Sequence, residues 1–527
     1  MGGIARHMNH IYDDVNMKFS TILEIFKLAS SGELKATEKV DGQNLYFTYD
    51  KGTGTVKFAR KEEEAAAGGL SKEDLNYEFV KKQEKSADPE GYQSVVDAFF
   101  LGMQTIEQAL SHVSDDIKNS VFHLSKDVEG MTISTVYMNC EVMYSGNRNL
   151  ILYDGDFIVF HNYDILDASL KKLPQEELEK IDSDMREKFM SIVSEIEKQE
   201  AANAAEQWRV VGPQVVALNN MGEQGSQKFV AAARKDIESI IQPVGLSIND
   251  TLGEYIVKCV REKIVPSFNF STPMSDDLVD GFCQLVRNPR EWSDNPVPES
   301  LGLSSDSRER ARQIKQIYRG SKADTKAVSK LFTKSYSQAL HDTLLEPFAR
   351  FAAQYTSQIL DGVESNFMID SGLGKDVFVE TVNMAIEHFK KMFADEDAPE
   401  SEMSKLKTLS GDEEKMSQLD RKTASALKQT IQRSEAFREK YEKQMGRLVS
   451  VDRITTPVEG VVFEYPPGSN KYYKFTGGFA ASNQLLGMLG WADKERIGQE
   501  ARQKVVSRSN RKIDENQLKT IIKQFIF

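Results

Sequence analysis

Strand-like sequence lies near both ends of this chain, separated by residues 167–450 of almost purely helical periodicity, and that partition limits the fold more than any single motif. Leu45 to Tyr49 and Thr55 to Arg60 alternate around the turn Asp50-Lys51-Gly52-Thr53-Gly54, which predicts a hairpin. Strand character recurs at Ser134 to Met143 and Asp156 to Ile165, and returns at Pro457 to Tyr465 and Lys471 to Thr476, around Pro466-Pro467-Gly468. Lys61 to Gly91 is poor in large apolar residues and predicts a mobile surface excursion, followed by a helix from Tyr92 to His112. In the central block, Leu340, Leu344, Phe348 and Phe351 recur at helical spacing. Trp208 to Val211 and Gln214 to Leu218 could be short strands there. Asp294 to Ser307 reads as a connector, and Ser401 to Leu448 as a long charged helix or helical hairpin. The economical arrangement is α+β: one domain with antiparallel sheets, completed by both ends of the chain and interrupted by a helical insertion. Its expected limits are 8–166, an insertion 167–450, a second part 451–478, and a basic helical C-terminal segment 479–527.

A length of 527 residues allows two or three domains, and 40% hydrophobic with 28% charged residues fits a soluble globular chain. No run approaches the roughly 20 apolar residues of a membrane span, so no membrane partner and a cytoplasmic location are expected. Cys140, Cys259 and Cys283 are far apart and predict buried reduced thiols. The net charge of −13 disfavours nucleic-acid binding over the whole surface. It leaves room for a local basic site, such as residues 493–527 with nine Lys/Arg against five Asp/Glu. The seven histidines show no metal-ligand spacing, and no GxSxG or phosphate-loop string occurs.

Thr37-Glu38-Lys39-Val40-Asp41-Gly42-Gln43-Asn44 is the most informative stretch. It places a lysine beside two carboxylates and a glycine directly before a strand. A lysine nucleophile must be deprotonated, which calls for burial or nearby positive charge, and a glycine lets backbone approach closely.

That string resembles the first motif of the covalent nucleotidyltransferases, the superfamily of ATP-dependent DNA ligases, RNA ligases and mRNA capping enzymes. Similar strings follow in the family's order: Phe58-Ala59-Arg60, Asn139-Cys140-Glu141-Val142, the aromatic strand Asp156-Phe157-Ile158-Val159-Phe160, Glu459-Gly460-Val461-Val462-Phe463, and Tyr473-Lys474-Phe475-Thr476. The resemblance implies a ligase-type nucleotidyltransferase domain. In it Lys39 attacks the α-phosphate of ATP, Lys474 with help from Lys471 neutralises that phosphate, and Glu459 holds Mg2+ or Mn2+. Glu141 would accept a ribose hydroxyl, Arg60 would reach the sugar or phosphate, and Phe157 or Phe160 would stack on the base. Glu38, Asp41, Gly42 and Asn44 would complete the nucleotide site.

The family usually carries two lysines on alternate residues of its fifth motif. Here Thr476 holds the second place, and Lys471 falls on the opposite face from Lys474 unless the strand bulges. The absence of a following strand-rich barrel and the presence of Asn44 bring the chain closest to the RNA-ligase branch. The resemblance therefore implies a lysyl-AMP intermediate passed to RNA or DNA ends. Two other readings stand beside it: a capping or protein-modifying transferase, and a non-catalytic binding module. The acidic insertion suits a protein partner at least as well as nucleic acid.

Overall fold

The computed structural model describes residues 8–86, 89–123, 127–128, 131–144, 153, 155–167, 175–202, 208–289, 303–304, 306–367, 371–449, 458–469 and 471–508. Most of the connector around residue 300, and the tail beyond Arg508, lie outside this set. The chain is mixed α and β, with strands β1 (Asn9–His10), β2 (Ala36–Lys39), β3 (Gln43–Asp50), β4 (Thr55–Ala59), β5 (Asp127–Val128), β6 (Met131–Met143), β7 (Asp156–Asp167), β8 (Trp208–Val211), β9 (Val215–Val216), β10 (Gly460–Glu464) and β11 (Tyr472–Phe475). It divides into two units, one of residues 35–218 with 360–527 and one of residues 9–34 with 219–359.

The first unit carries two sheets. In the smaller, the order β11-β10-β2-β9 is antiparallel throughout. In the larger, β4-β3-β6-β7-β8, every pairing is antiparallel except β7 with β8. The expectation of wholly antiparallel sheets is corrected at that edge. The helix Gln175–Ala202 carries the chain back to the start of β7, so β8 enters in the same direction. The two candidate strands of the central block are thus real, and each closes an edge of a sheet.

Strand alternation sorts the larger sheet into two faces. Leu45, Phe47, Phe58, Met138, Cys140, Ile158 and Phe160 point into one core, against the helices Lys72–Glu84, Pro89–Ser111 and Gln175–Ala202. Residues 61 to 91, expected to be mobile, hold the helices Glu62–Ala66 and Lys72–Glu84 and the start of Pro89–Ser111. Leu75 and Phe79, four residues apart, are enough to anchor the second. Phe79 stacks on Phe99 at 4.4 Å, and Ser71 caps the helix by accepting from the Asp74 N–H. On the other face, Val40, Met143, Phe157 and Val159 meet Phe378, Phe389, Phe479 and Leu485.

That second cluster corrects the domain limits. The helices Ser371–Asp397 and Arg421–Val449 bury their aromatic faces within the sheet-bearing unit, as do the C-terminal helices Phe479–Leu486 and Trp491–Arg508. The separate helical unit is shorter at both ends than 167–450 and takes in the early helix Phe19–Ser30. Phe26 there lies 5.8 Å from Phe229 and 5.6 Å from Phe351, and Phe19 lies 5.3 Å from Phe348. Cys140, Cys259 and Cys283 are free and buried. No helix among the described residues is long and apolar enough to cross a membrane.

Candidate active site

Residues 40–42 hand the chain from the smaller sheet to the larger, because β2 ends at Lys39 and β3 begins at Gln43. At this junction Lys39 pairs with Gly460, the first residue of β10. The pairing brings the lysine ammonium 2.5 Å from the Glu459 carboxylate, across some 420 residues of sequence. Gly460 must be glycine, since a Cβ there would collide with the carbonyl oxygen of Phe475.

Gly42 has an equally direct reason. A Cβ would lie 2.9 Å from both Glu141 Cγ and Met143 Cγ and 3.0 Å from the Val142 carbonyl, and the Gly42 N–H donates to the Glu141 carboxylate. The neighbouring Asp41 N–H donates to the Tyr153 hydroxyl at 2.7 Å. Glu141, near the C-terminal end of β6, lies opposite Asn44 on one side and Val159 on the other. Its carboxylate is 2.8 Å from His161 Nε2.

His161 reaches Glu141 because β7 carries an extra residue at that point. The register jumps from Asn139 opposite Asn162 to Cys140 opposite Phe160, so His161 is the bulge. A bulge of this kind turns consecutive side chains to one face. The histidine spacing does not single out His161, and no compositional signal marks the inserted residue.

The electrostatics follow from three carboxylates gathered around one amine. Burial alone would lower the Lys39 pKa, but the charges of Glu459, then Glu141, and more weakly Asp41, push it up to about 12. Glu459 is pushed up to about 7, chiefly by burial and then by Asp41 and Glu141, against the opposing pull of Lys39. Burial would also raise Glu141, yet the hydrogen bond and charge of His161, the charge of Lys39 and the Gly42 N–H hold it below the usual carboxylate range. The depressed lysine pKa that a nucleophile requires is therefore not a property of these residues alone.

The other expected residues divide by strand alternation. Thr37 and Val462 pair with each other, and Val462 pairs in turn with Lys474, so Lys474 shares the sheet face of Thr37 and Lys39. Lys474 is buried. Asn44 donates its side-chain N–H to Asn139 Oδ1 at 2.7 Å, on the face that carries Glu141. Arg60 donates to the Asn44 carbonyl at 3.2 Å and to Gln43 Oε1 at 3.4 Å, while its guanidinium lies 4.5 Å over Phe99. Phe157 is on the Glu141 face, 5.1 Å from Phe367 with Arg209 stacked over it at 4.2 Å.

Three residues are not brought to the cluster. Glu38 alternates to the far face of β2, where it accepts from Ser365 Oγ at 2.5 Å and from the Asn366 N–H at 2.7 Å. It fastens residues 365–366 to the strand, and burial raises its pKa. Phe160 lies in the opposite core, 5.5 Å from Phe47. Lys471 is exposed, and the unbroken β10–β11 register puts it on the opposite parity from Lys474, so no bulge restores it.

A divalent cation finds one fitting feature. The second carboxylate oxygen of Glu459 is buried without a hydrogen-bond partner among the described residues. Among the described residues no group of three His, Cys, Asp or Glu could hold a metal by itself. A cation here would depend on water and on ligand oxygens, as Mg2+ commonly does.

No protein-family model, curated protein or solved structure matches the chain.

Proposed function

We propose that this chain is an ATP-dependent nucleotidyltransferase of the RNA-ligase type, which takes AMP onto Lys39 and passes it to a polynucleotide end. The observation that carries the reading is the 2.5 Å contact of Lys39 with Glu459, at a sheet junction that also gathers Gly42, Asp41 and Glu141. A lysine held among carboxylates can serve as a nucleophile once its proton is removed.

In the proposed first step the Lys39 nitrogen attacks the α-phosphorus of ATP, a P–N bond forms, and the bond to the β-phosphate oxygen breaks, releasing pyrophosphate. Mg2+ or Mn2+, held by Glu459 and the triphosphate, would supply the positive charge that favours loss of the Lys39 proton. Lys474, on the same sheet face, would neutralise the α-phosphate. Glu141, ionised and fixed by His161 and Gly42, would accept a hydrogen bond from a ribose hydroxyl. Phe157, on the Glu141 face, would stack on the base, whereas Phe160 and Lys471 have no part. A 5′-phosphate end then displaces Lys39 from the adenylate, and a 3′-hydroxyl displaces AMP.

Two observations favour a binding module instead: Thr476 is buried where the second lysine would lie, and Lys39 is held protonated. Incubation with α-labelled ATP and Mg2+, followed by denaturation, separates the readings. Label retained by the chain and lost in Lys39→Ala is expected. Label from GTP alone would move the assignment to a capping-type transferase, and no label from either nucleotide would leave the binding module.

A further inference from the structure

The helical unit carries a charge pattern that the acidic chain as a whole conceals. Residues 306–334 hold nine Lys/Arg against Asp306, Glu309 and Asp324, a net of +6 in a protein of −13. The segment folds as the helices Ser307–Ile317 and Lys322–Leu331 followed by the start of Lys334–Ile359. The first two present an apolar side inward, with Ile314, Tyr318, Val328, Leu331 and Phe332 buried. Lys322, Lys326 and Lys330 recur every fourth residue on the outer side and are exposed. Lys315, Arg319 and Lys334 are exposed beside them.

These cations are not neutralised locally. Asp306 caps its helix by accepting from the Arg308 and Glu309 N–H groups, and Asp324 is taken up by Ser271. Glu309 pairs with Arg312. Among the described residues, none of Lys315, Arg319, Lys322, Lys326, Lys330 or Lys334 has an ion-pair partner. The platform is also fixed. Arg310, buried between the helices, donates to the Phe332 and Ser304 carbonyls at 2.8 Å each. Unpaired lysines on a rigid helix surface form a periodic polycation, and a polynucleotide backbone is the matching periodic polyanion.

We propose that the Lys322, Lys326 and Lys330 face binds the phosphate backbone of a polynucleotide without reading its sequence. The inference rests on the reading above only for the class of ligand; the surface itself stands on its charge.

The test is fluorescence anisotropy of the full chain with a short labelled RNA duplex over a series of salt concentrations. Each lost phosphate contact lowers the slope of log affinity against log salt by about 1. The triple variant Lys322→Gln, Lys326→Gln, Lys330→Gln should therefore lose about two to three from the slope, alike for unrelated sequences, and the corresponding triple Lys→Arg should retain it. Lys228→Gln with Lys235→Gln, exposed lysines elsewhere in the same unit, should leave the slope unchanged. An unchanged slope in the triple Gln variant, an equal loss in the Lys228 and Lys235 control, or tighter binding of anionic lipid vesicles than of RNA would each overturn the proposal. A wild type that shows the lysine-dependent slope yet takes no label from ATP would retain this surface and remove the covalent transfer. Label uptake with a slope indifferent to the three lysines would do the reverse.

Discussion

Glu459→Gln gives the most direct measure of how the site holds its lysine. The substitution keeps the shape of the side chain and removes the charge in contact with Lys39 at 2.5 Å. Two unit charges 4 Å apart attract by about 4 kcal/mol at an effective dielectric of 20, which corresponds to roughly 3 pKa units. From about 12 in the native protein, the Lys39 amine should fall to roughly 9, because burial then acts with less opposition. The assay is the pH dependence of Lys39 modification by an amine-reactive reagent, followed by mass spectrometry of its peptide. In the wild type the rate should climb tenfold per pH unit through pH 10 without levelling, whereas in Glu459→Gln it should reach a plateau near pH 9 to 10. The shape of the profile decides the question, since altered access scales the rate at every pH alike. A plateau at the same pH in both proteins would refute the claim that Glu459 sets the protonation of Lys39.

Gly42→Ala should destabilise the sheet-bearing unit by about 1–3 kcal/mol in denaturant melts, because the new methyl meets Glu141, Met143 and a backbone carbonyl with little room to yield. Glu38→Ala strands the donors of Ser365 and Asn366 and should cost about 2–3 kcal/mol, while leaving the Lys39 modification profile as it is; a changed profile would place Glu38 at the site after all. The Glu459 carboxyl, ordinarily near 4.5, is pushed up to about 7 in the folded chain, so between those values the folded state binds a proton that the unfolded chain releases. Wild type should therefore gain stability relative to Glu459→Gln as pH falls through this window, by up to about 3 kcal/mol, and urea midpoints at pH 7.5 and 5 that move together would contradict it.

The sequence made visible those features that depend on local alternation or on turn chemistry. The hairpin of β3 with β4, the long strands β6 and β7, and the pair β10 and β11 are of this kind, whereas the expectation that Lys39 and Glu459 share a site came only from the resemblance. Facing was harder to read, because a period of two fixes which residues share a face without saying which face holds the site. The resemblance sets Glu38 beside Lys39 and offers Phe160 as well as Phe157, and alternation sends Glu38 and Phe160 elsewhere. His161 joins Glu141 only through an inserted residue with no compositional mark. Helical periodicity likewise reveals an apolar stripe but not its partner. Nothing in the spacing of Phe378, Phe389 and Phe393 distinguishes them from Phe348 and Phe351, which pack in a different unit.

How a unit as large as residues 219–359 can interrupt a chain whose site needs Lys39 beside Glu459 follows from hydrogen bonds within the helical unit itself. The Asn219 N–H donates to the Ile359 carbonyl at 3.0 Å and its side chain to the Gln358 carbonyl at 3.0 Å, so the residues where the chain enters and leaves are held together. The Met221 N–H donates to the Ser30 carbonyl at 2.9 Å, and Ser30 meets Ser226 at 2.7 Å, which fixes the early helix at the same place. An insertion whose ends are fastened adds little to the entropy of bringing β10 to β2, since loop-closure entropy grows only with the logarithm of length, by about 0.6 kcal/mol per doubling. The site's register with Gly460 then depends on the sheet pairing of residues 36–39 and 460–463 and not on the surface of the inserted helices. Glutamine at Lys322, Lys326 and Lys330 should accordingly leave label uptake at Lys39 intact when no polynucleotide is present.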